Sequence, residues 1–568
     1  MKNNRNHVFA RLISFAAVGM LLAACGGAQP TTEAPAQTAP AEATAAPAAD
    51  APKSNLVEGT LSADSGFRPM ENGLPFANYG AAPGVVNLTP ADMRRMFGDG
   101  VCSRMDGDQC ILNPVADQWM TESNKGMGGG HCFGFAVFST LAFQGKVNAS
   151  SFGGGSMKDL KLEGNEALQR EIAYWFVTQA TMPASQARAT VTPVQALDEL
   201  TAQFNKAKSG DASAEMYTFG IYQRGFKGGH AISPYAIKEN TDGTASIMVY
   251  DNNFPGAERE MIIDRKANTW KYVASINPNE PEALYEGDAE SGTLILLPVA
   301  PRAEPQTCTF CQQQQAGSHG GRLNAAVVEY NELSQYGDAK LMITDGEGRR
   351  LGFDGDKLIN EIPDAKFVPQ MSDDLFKDDP APTWFIPRGI SFTVTLDGTG
   401  QKEDVSTDLS LIGPGYTLAI EGLQLSPDQK DSIEFAPDGT HMVYKTNSSD
   451  TPLLTLGIET PANDYEFELS VAGDKDGQDV DLKLDQKSGT LAVTTAGRDD
   501  TATYSLNMTR YGEKDEQSFE AADIELKAGA TDYVQYGEWT GQGAPLKIGF
   551  DLDNDGAIDD TIDVNDAK

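Results

Sequence analysis

Gly126-Met127-Gly128-Gly129-Gly130-His131-Cys132-Phe133-Gly134-Phe135-Ala136-Val137-Phe138 is the stretch on which the reading of the fold turns. A glycine-rich loop runs directly into an apolar segment that reads as a buried helix to about Phe143. Cys132 then falls on the first helical turn. There the unpaired N–H groups and the positive end of the helix dipole favour a thiolate over a thiol. The glycines before it let a backbone come close, which bulkier residues would prevent.

About a hundred residues on stands a second stretch. Gly228-Gly229-His230-Ala231-Ile232-Ser233-Pro234-Tyr235-Ala236-Ile237 is followed by a turn at Asn240 to Thr244. Then comes Ile247-Met248-Val249-Tyr250-Asp251-Asn252-Asn253-Phe254-Pro255-Gly256. Two strands paired about that turn bring His230 and the Asp251–Asn253 segment together at the open end of a hairpin. A histidine acting as base needs a partner on one ring nitrogen, expected here at Nδ1, so that the other accepts a thiol proton.

Outward from these two stretches, residues 58–300 read as an α+β domain. Thr89-Pro90 starts a helix with Met93, Met96 and Phe97 inward. Asn165 to Gln179 carries Leu168, Ile172 and Phe176 at helical spacing. Thr192-Pro193 opens another helix, with Val194, Leu197, Leu200 and Phe204 on one face. Strand patterns follow at Met216 to Gln223, His230 to Lys238, Ser246 to Asp251 and Thr293 to Pro298.

The order of Cys at a helix start, His at a strand start and Asp or Asn at the next strand's end resembles the papain-like cysteine peptidase superfamily. The resemblance spans residues 110–300. It implies an α+β papain-like domain with Cys132 as nucleophile, His230 as general base and Asp251 as the orienting residue, with Asn252 and Asn253 as alternatives. Superfamily members place an amide donor for the oxyanion shortly before the cysteine. Here that window is nearly all glycine, and Gln118 and Asn124 are the nearest amides.

Residues 1–24 read as a signal peptide. Lys2, Arg5 and Arg11 precede an apolar run from Leu12 to Leu22, and Leu22-Ala23-Ala24-Cys25 resembles a bacterial lipoprotein cleavage site, with Cys25 carrying the lipid. Residues 25–57, rich in Ala, Pro and Thr, read as a stalk. An extracytoplasmic protein held at the bacterial cell membrane through its lipid alone is the expectation. A formal charge of −37 repels nucleic acid and excludes it as a partner.

Lipidation of Cys25 leaves five of the six cysteines in an oxidising compartment. Cys102 with Cys110 and Cys308 with Cys311 are the candidate disulfides, which leaves Cys132 over.

Residues 301–335 read as a linker containing the Cys308–Cys311 staple. From Lys340 on, short strand patterns alternate with Gly, Asp, Asn and Pro turns. They predict an all-β immunoglobulin-like sandwich region, divided into sandwiches at 336–424 and 425–568. No internal repeat stands out. Near the end, Asp551, Asp553, Asp555 and Asp559 flank Gly556 at positions 1, 3, 5, 9 and 6 of an EF-hand-type loop, which predicts a structural Ca²⁺. Ile562 takes the place of that loop's bidentate glutamate.

Three readings follow. The first is a surface-anchored papain-like thiol hydrolase cleaving peptide or amide bonds of a peptide or protein substrate. The second is a transglutaminase-like acyl transferase using the same residues. The third is a non-catalytic adhesion or scaffold lipoprotein.

Overall fold

Helix-start signals in the sequence act as caps. Asp92 accepts the Thr89 N–H at 2.9 Å, Asn113 accepts the Ala116 N–H at 2.8 Å, and Thr192 and Gln195 cap each other reciprocally. In the computed structural model the longer helices are α1 (Pro90–Phe97), α2 (Pro114–Gly126), α3 (Cys132–Phe143), α4 (Glu166–Val177) and α5 (Pro193–Lys208). The structure describes residues 56–80, 84–312, 329–337, 339–355, 357–371, 383–448, 451–472, 478–496 and 501–567. Cys25 and nearly all of the expected signal and stalk lie outside them. All of the described residues belong to one compact unit, 53–568.

Every residue of α3 from Cys132 to Leu141 is buried, as expected of a helix that is apolar all round. Gly134 lets it cross α4 closely: a Cβ there would lie 2.1 Å from the Ile172 carbonyl oxygen. Behind the helices lie strands β1 (Gly59–Asp64), β2 (Tyr217–Ile221), β3 (His230–Asn240), β4 (Ala245–Asp251), β5 (Arg259–Asp264), β6 (Thr269–Ala274), β7 (Ala283–Asp288) and β8 (Leu294–Pro298). They form one antiparallel sheet in the order β7-β6-β5-β4-β3-β2-β8, with β1 also pairing β3. α3 and α5 pack on β3, and the expected turn after Asn240 closes the β3–β4 hairpin. Strands β1, β5, β6 and β7 and helix α2 extend the elements read from the sequence.

From Tyr330 onward the chain builds two long antiparallel sheets that share one hydrophobic core. After residue 405, hairpins alternate between them. Those starting at Val405, Leu453 and Ala502 join one sheet, and those starting at Lys430, Gln478 and Thr531 join the other. The boundary expected at 424/425 is therefore corrected. Tyr416–Leu425 pairs with Leu453–Glu459, and Phe392–Asp397 pairs with Lys430–Phe435, so both sheets run through it. The hairpin alternation is a structural repeat that side-chain patterns alone do not display.

The expected linker at 301–335 is also more structured than a spacer. Its described part carries the Cys308–Cys311 disulfide, and Phe310 is buried against Trp119 of α2 with ring centres 5.5 Å apart. Glu332, on a strand that already belongs to the sandwich, accepts hydrogen bonds from Trp119 and Thr309. Tyr336 donates to the Glu122 carbonyl at 2.8 Å, and Lys125 pairs with Asp408. Helix α2 thus fastens the helical region to the sandwich.

Candidate functional site

Cys132 is the first residue of α3 and His230 the first residue of β3. Asn252, just past the end of β4, joins these two starts. Its Nδ2 donates to the Cys132 carbonyl at 3.0 Å and to the Ala231 carbonyl at 2.8 Å. One side-chain amide therefore ties the helix start to the residue after His230.

His230 Nε2 lies 2.8 Å from Asp251 Oδ1, and both side chains are fully buried. The orienting contact is on Nε2 and not on Nδ1, which corrects the expected tautomer. Among the described residues Nδ1 has no hydrogen-bond partner, so it remains the ring atom available to take a proton. Asp251 Oδ1 also accepts the Asn253 N–H at 2.9 Å, while Oδ2 accepts the Tyr272 hydroxyl at 2.6 Å. Burial pushes the Asp251 carboxyl up. The charge of His230 and the hydrogen bonds from His230, Tyr272 and Asn253 outweigh it and hold the group below the usual carboxylate range.

The network continues outward. Arg259 Nε donates to the Tyr272 hydroxyl at 3.0 Å, its Nη2 reaches Glu282 and the Val273 carbonyl, and its guanidinium lies 3.8 Å over the Phe254 ring. The three candidate orienting residues now separate by contact. Asp251 holds the imidazole, Asn252 ties Cys132 to β3, and Asn253 donates to the Ser275 carbonyl at 2.7 Å.

Gln118 and Asn124 are not brought to this cluster. Both lie on α2, where Gln118 donates to Glu122 at 2.7 Å and Asn124 exchanges hydrogen bonds with the Leu88 backbone. His131, beside the cysteine, is structural. Its ring nitrogens meet the Tyr79 carbonyl and Asn87 Oδ1 at 2.7 Å each. Burial pulls its pKa down to about 4, opposed only in part by the Tyr79 hydrogen bond.

No family model, curated protein or solved structure matches the chain.

Disulfides join Cys102 to Cys110 and Cys308 to Cys311, and Cys132 is in neither. In the C-terminal loop, carboxylate oxygens of Asp551, Asp553 and Asp559 lie within 4.8 Å of one another, and Asp551 is buried. Asp551 also accepts the Asp555 and Gly556 N–H groups at 3.2 and 2.9 Å. Divalent cations of this kind take hard oxygen ligands, and these three carboxylates are the residues that could hold one. Asp555 falls outside the group and accepts the Ala557 N–H at 2.8 Å.

The sequence reading missed Tyr272 and Arg259, because each lies on a strand it had not placed. It also missed Met371, which reaches Cys132, together with Gln179, which accepts the Met371 N–H, and Tyr222, which donates to the Pro369 carbonyl. Met371 comes from the sandwich region, and its carbonyl oxygen is 3.7 Å from Cys132 Sγ. No local motif announces such a contact.

Proposed function

We propose that this protein is a papain-like thiol hydrolase, lipid-anchored outside the cytoplasm through Cys25, that cleaves peptide or amide bonds. The observation that carries the reading is the Asn252 bridge. It ties the backbone of a helix-start cysteine to the residue after a buried histidine whose Nε2 is held by a carboxylate and whose Nδ1 is uncommitted.

In this reading His230 takes the Cys132 proton at Nδ1, and the thiolate attacks the carbonyl carbon of the scissile bond. Negative charge on the carbonyl oxygen is met by backbone N–H groups at the start of α3, the positive end of its dipole. His230 returns the proton to the leaving amine, and a thioester to Cys132 remains. Water, deprotonated by His230, then releases the acid and restores the thiol. Asp251 keeps the imidazole oriented and stabilises its charged form. A Ca²⁺ held by Asp551, Asp553 and Asp559 would serve as a structural ion only.

The scaffold reading is favoured by one observation: Cys132, His230 and Asp251 are all inaccessible to solvent. Incubating the detergent-solubilised full chain with an electrophilic thiol probe and a peptide library separates the two. A Cys132 adduct together with cleavage that Cys132→Ala abolishes, in the wild type or in a folded variant that exposes Cys132, is expected of the hydrolase. Cleavage that survives Cys132→Ala, or none under any condition, would leave the scaffold reading.

A further inference from the structure

We infer that Pro369-Gln370-Met371 is a built-in peptide that lies across Cys132 and keeps the site closed. The inference rests on the hydrolase reading above and names both its regulation and its substrate class.

The segment follows the strand Lys366–Val368 of the sandwich, far along the chain from the helical region. It is held there mainly through its main chain. The Pro369 carbonyl accepts the Tyr222 hydroxyl at 3.1 Å and an Arg188 N–H at 3.3 Å. The Met371 N–H donates to Gln179 Oε1 at 2.7 Å, and the Met371 carbonyl oxygen faces Cys132 Sγ at 3.7 Å. Main-chain groups satisfied by side chains of a groove are how an extended peptide is read, with its side chains left to occupy pockets.

The groove is shaped for a chain. A Cβ on Gly229 would lie 2.9 Å from the Gln370 carbonyl oxygen, and one on Gly220 would lie 3.1 Å from Met371 Sδ. Met371 is fully buried within the core of the helical region and away from the sandwich core. An ordinary interface between two layers would bury side chains and leave the nucleophile uninvolved. Here the Cys132 thiol donates to a peptide carbonyl oxygen at 3.7 Å, so the segment lies across the nucleophile itself.

The substrate class follows from the same contacts. It is an extended peptide with an unbranched apolar residue at the Met371 position and an accepting carbonyl two residues earlier, opposite Tyr222 and Arg188. The free enzyme is closed until this segment leaves the groove.

The test measures labelling of Cys132 in the full chain, solubilised in detergent, with the adduct mapped by mass spectrometry. The probes are iodoacetamide and acetyl-Pro-Gln-Met chloromethyl ketone, in which the thiolate displaces chloride to form a thioether. Met371→Asp puts a charge into an apolar seat and should speed labelling by about tenfold or more, because local opening then becomes cheap. Adding acetyl-Pro-Gln-Met-amide to that variant should slow labelling again.

Tyr222→Phe removes only a hydroxyl at the far end of the groove and should give a smaller increase, about fivefold. It decides the matter alone if Met371→Asp loses its near-ultraviolet circular dichroism. Folded variants that label no faster than wild type, or a wild-type Cys132 that already labels like an exposed thiol, would overturn the inference. Labelling released by the variants without any peptide cleavage would keep the closing segment and remove the hydrolase. Cleavage by wild type at the same rate as by Met371→Asp would do the reverse.

Discussion

Tyr272 donates a 2.6 Å hydrogen bond to Oδ2 of Asp251, the carboxylate whose other oxygen holds His230. All three side chains are buried, so neither oxygen can exchange its partner for bulk water. Tyr272→Phe should destabilise the fold by about 1–3 kcal/mol near neutral pH, the usual cost of depriving a buried polar group of its partner. The sign with pH follows from the depressed Asp251 pKa. Its contribution is present above the unfolded-state pKa and is lost as pH falls through the folded one. Without Tyr272 the folded pKa rises, so acid unfolding should begin at higher pH. Urea titrations at several pH values check this, and matching curves for the two proteins would count against it.

Glu332 behaves in the opposite sense. Burial raises its pKa from 4.5 to about 7, although Thr309 and Trp119 hydrogen-bond to it. The folded state therefore binds a proton that the unfolded state has released between those values, and stability falls as pH rises from about 4.5 to 7. Glu332→Gln keeps an acceptor for the Trp119 indole N–H, turns its amide NH2 toward the Thr309 hydroxyl as a donor, and removes the cost of a buried charge. It should stabilise the protein by about 1–3 kcal/mol at pH 8, and the gain should shrink as pH falls toward 4.5. A gain that does not vary with pH would place its origin elsewhere than in ionisation.

The helix beginning at Cys132, the strand beginning at His230 and the hairpin between β3 and β4 were legible because each has a local cause. A glycine loop precedes a run of apolar residues, a Gly-Gly pair precedes a strand, and Asp242-Gly243 turns the chain. Proximity in the sequence likewise pointed to the cysteine pairs 102–110 and 308–311. What could not be read was register and long-range docking. Which of Asp251, Asn252 and Asn253 faces His230 depends on pairing of Ile232 with Asp251 and on where Tyr272 and Ser275 lie, and no local pattern specifies that. The contact of Met371 with Cys132 spans 239 positions and leaves no periodic trace. Nor does the continuity of the two sheets past residue 425, since a turn at the end of a domain and a turn between hairpins use the same residues.

Calcium should stabilise the whole chain through the loop at Asp551 to Asp559, by mass action on the folded state. Because the sheets are continuous, the measurement belongs on the full-length protein and not on a C-terminal fragment. Millimolar Ca²⁺ is expected to raise the melting temperature. Asp551→Asn and Asp559→Asn together should abolish the rise, while Asp555→Asn should have a smaller effect because its side chain lies outside the converging group. A rise that survives the double substitution would put the ion at another site.

Cys25→Ala removes the thiol that carries the lipid in the proposed reading, and it should move the protein from the membrane fraction to the soluble fraction of its cells. Immunoblotting of the two fractions reads the outcome. Retention in the membrane by the variant would require an anchor other than a lipid on Cys25.

The nucleophile and base are tested most directly by how the reactivity of Cys132 depends on pH. A thiol at a helix N-terminus beside a charged imidazole titrates well below the free value of about 8.5. Iodoacetamide should therefore still alkylate Cys132 at pH 6, where an ordinary cysteine reacts slowly. The profile is best recorded in the Met371→Asp background, so that access does not limit the rate. His230→Ala should move the reactivity midpoint upward. Asp251→Asn should move it in the same direction by less, since the imidazole stays but loses the carboxylate that favours its charged form. Asn252→Ala is the control for position: it removes the tie between the Cys132 and Ala231 carbonyls without removing a titrating group. It should lower the rate across the whole range and leave the midpoint in place. A midpoint that ignores His230 would mean that the buried imidazole and the thiol do not share a proton, and the His230–Asp251 pair would then be a feature of the core.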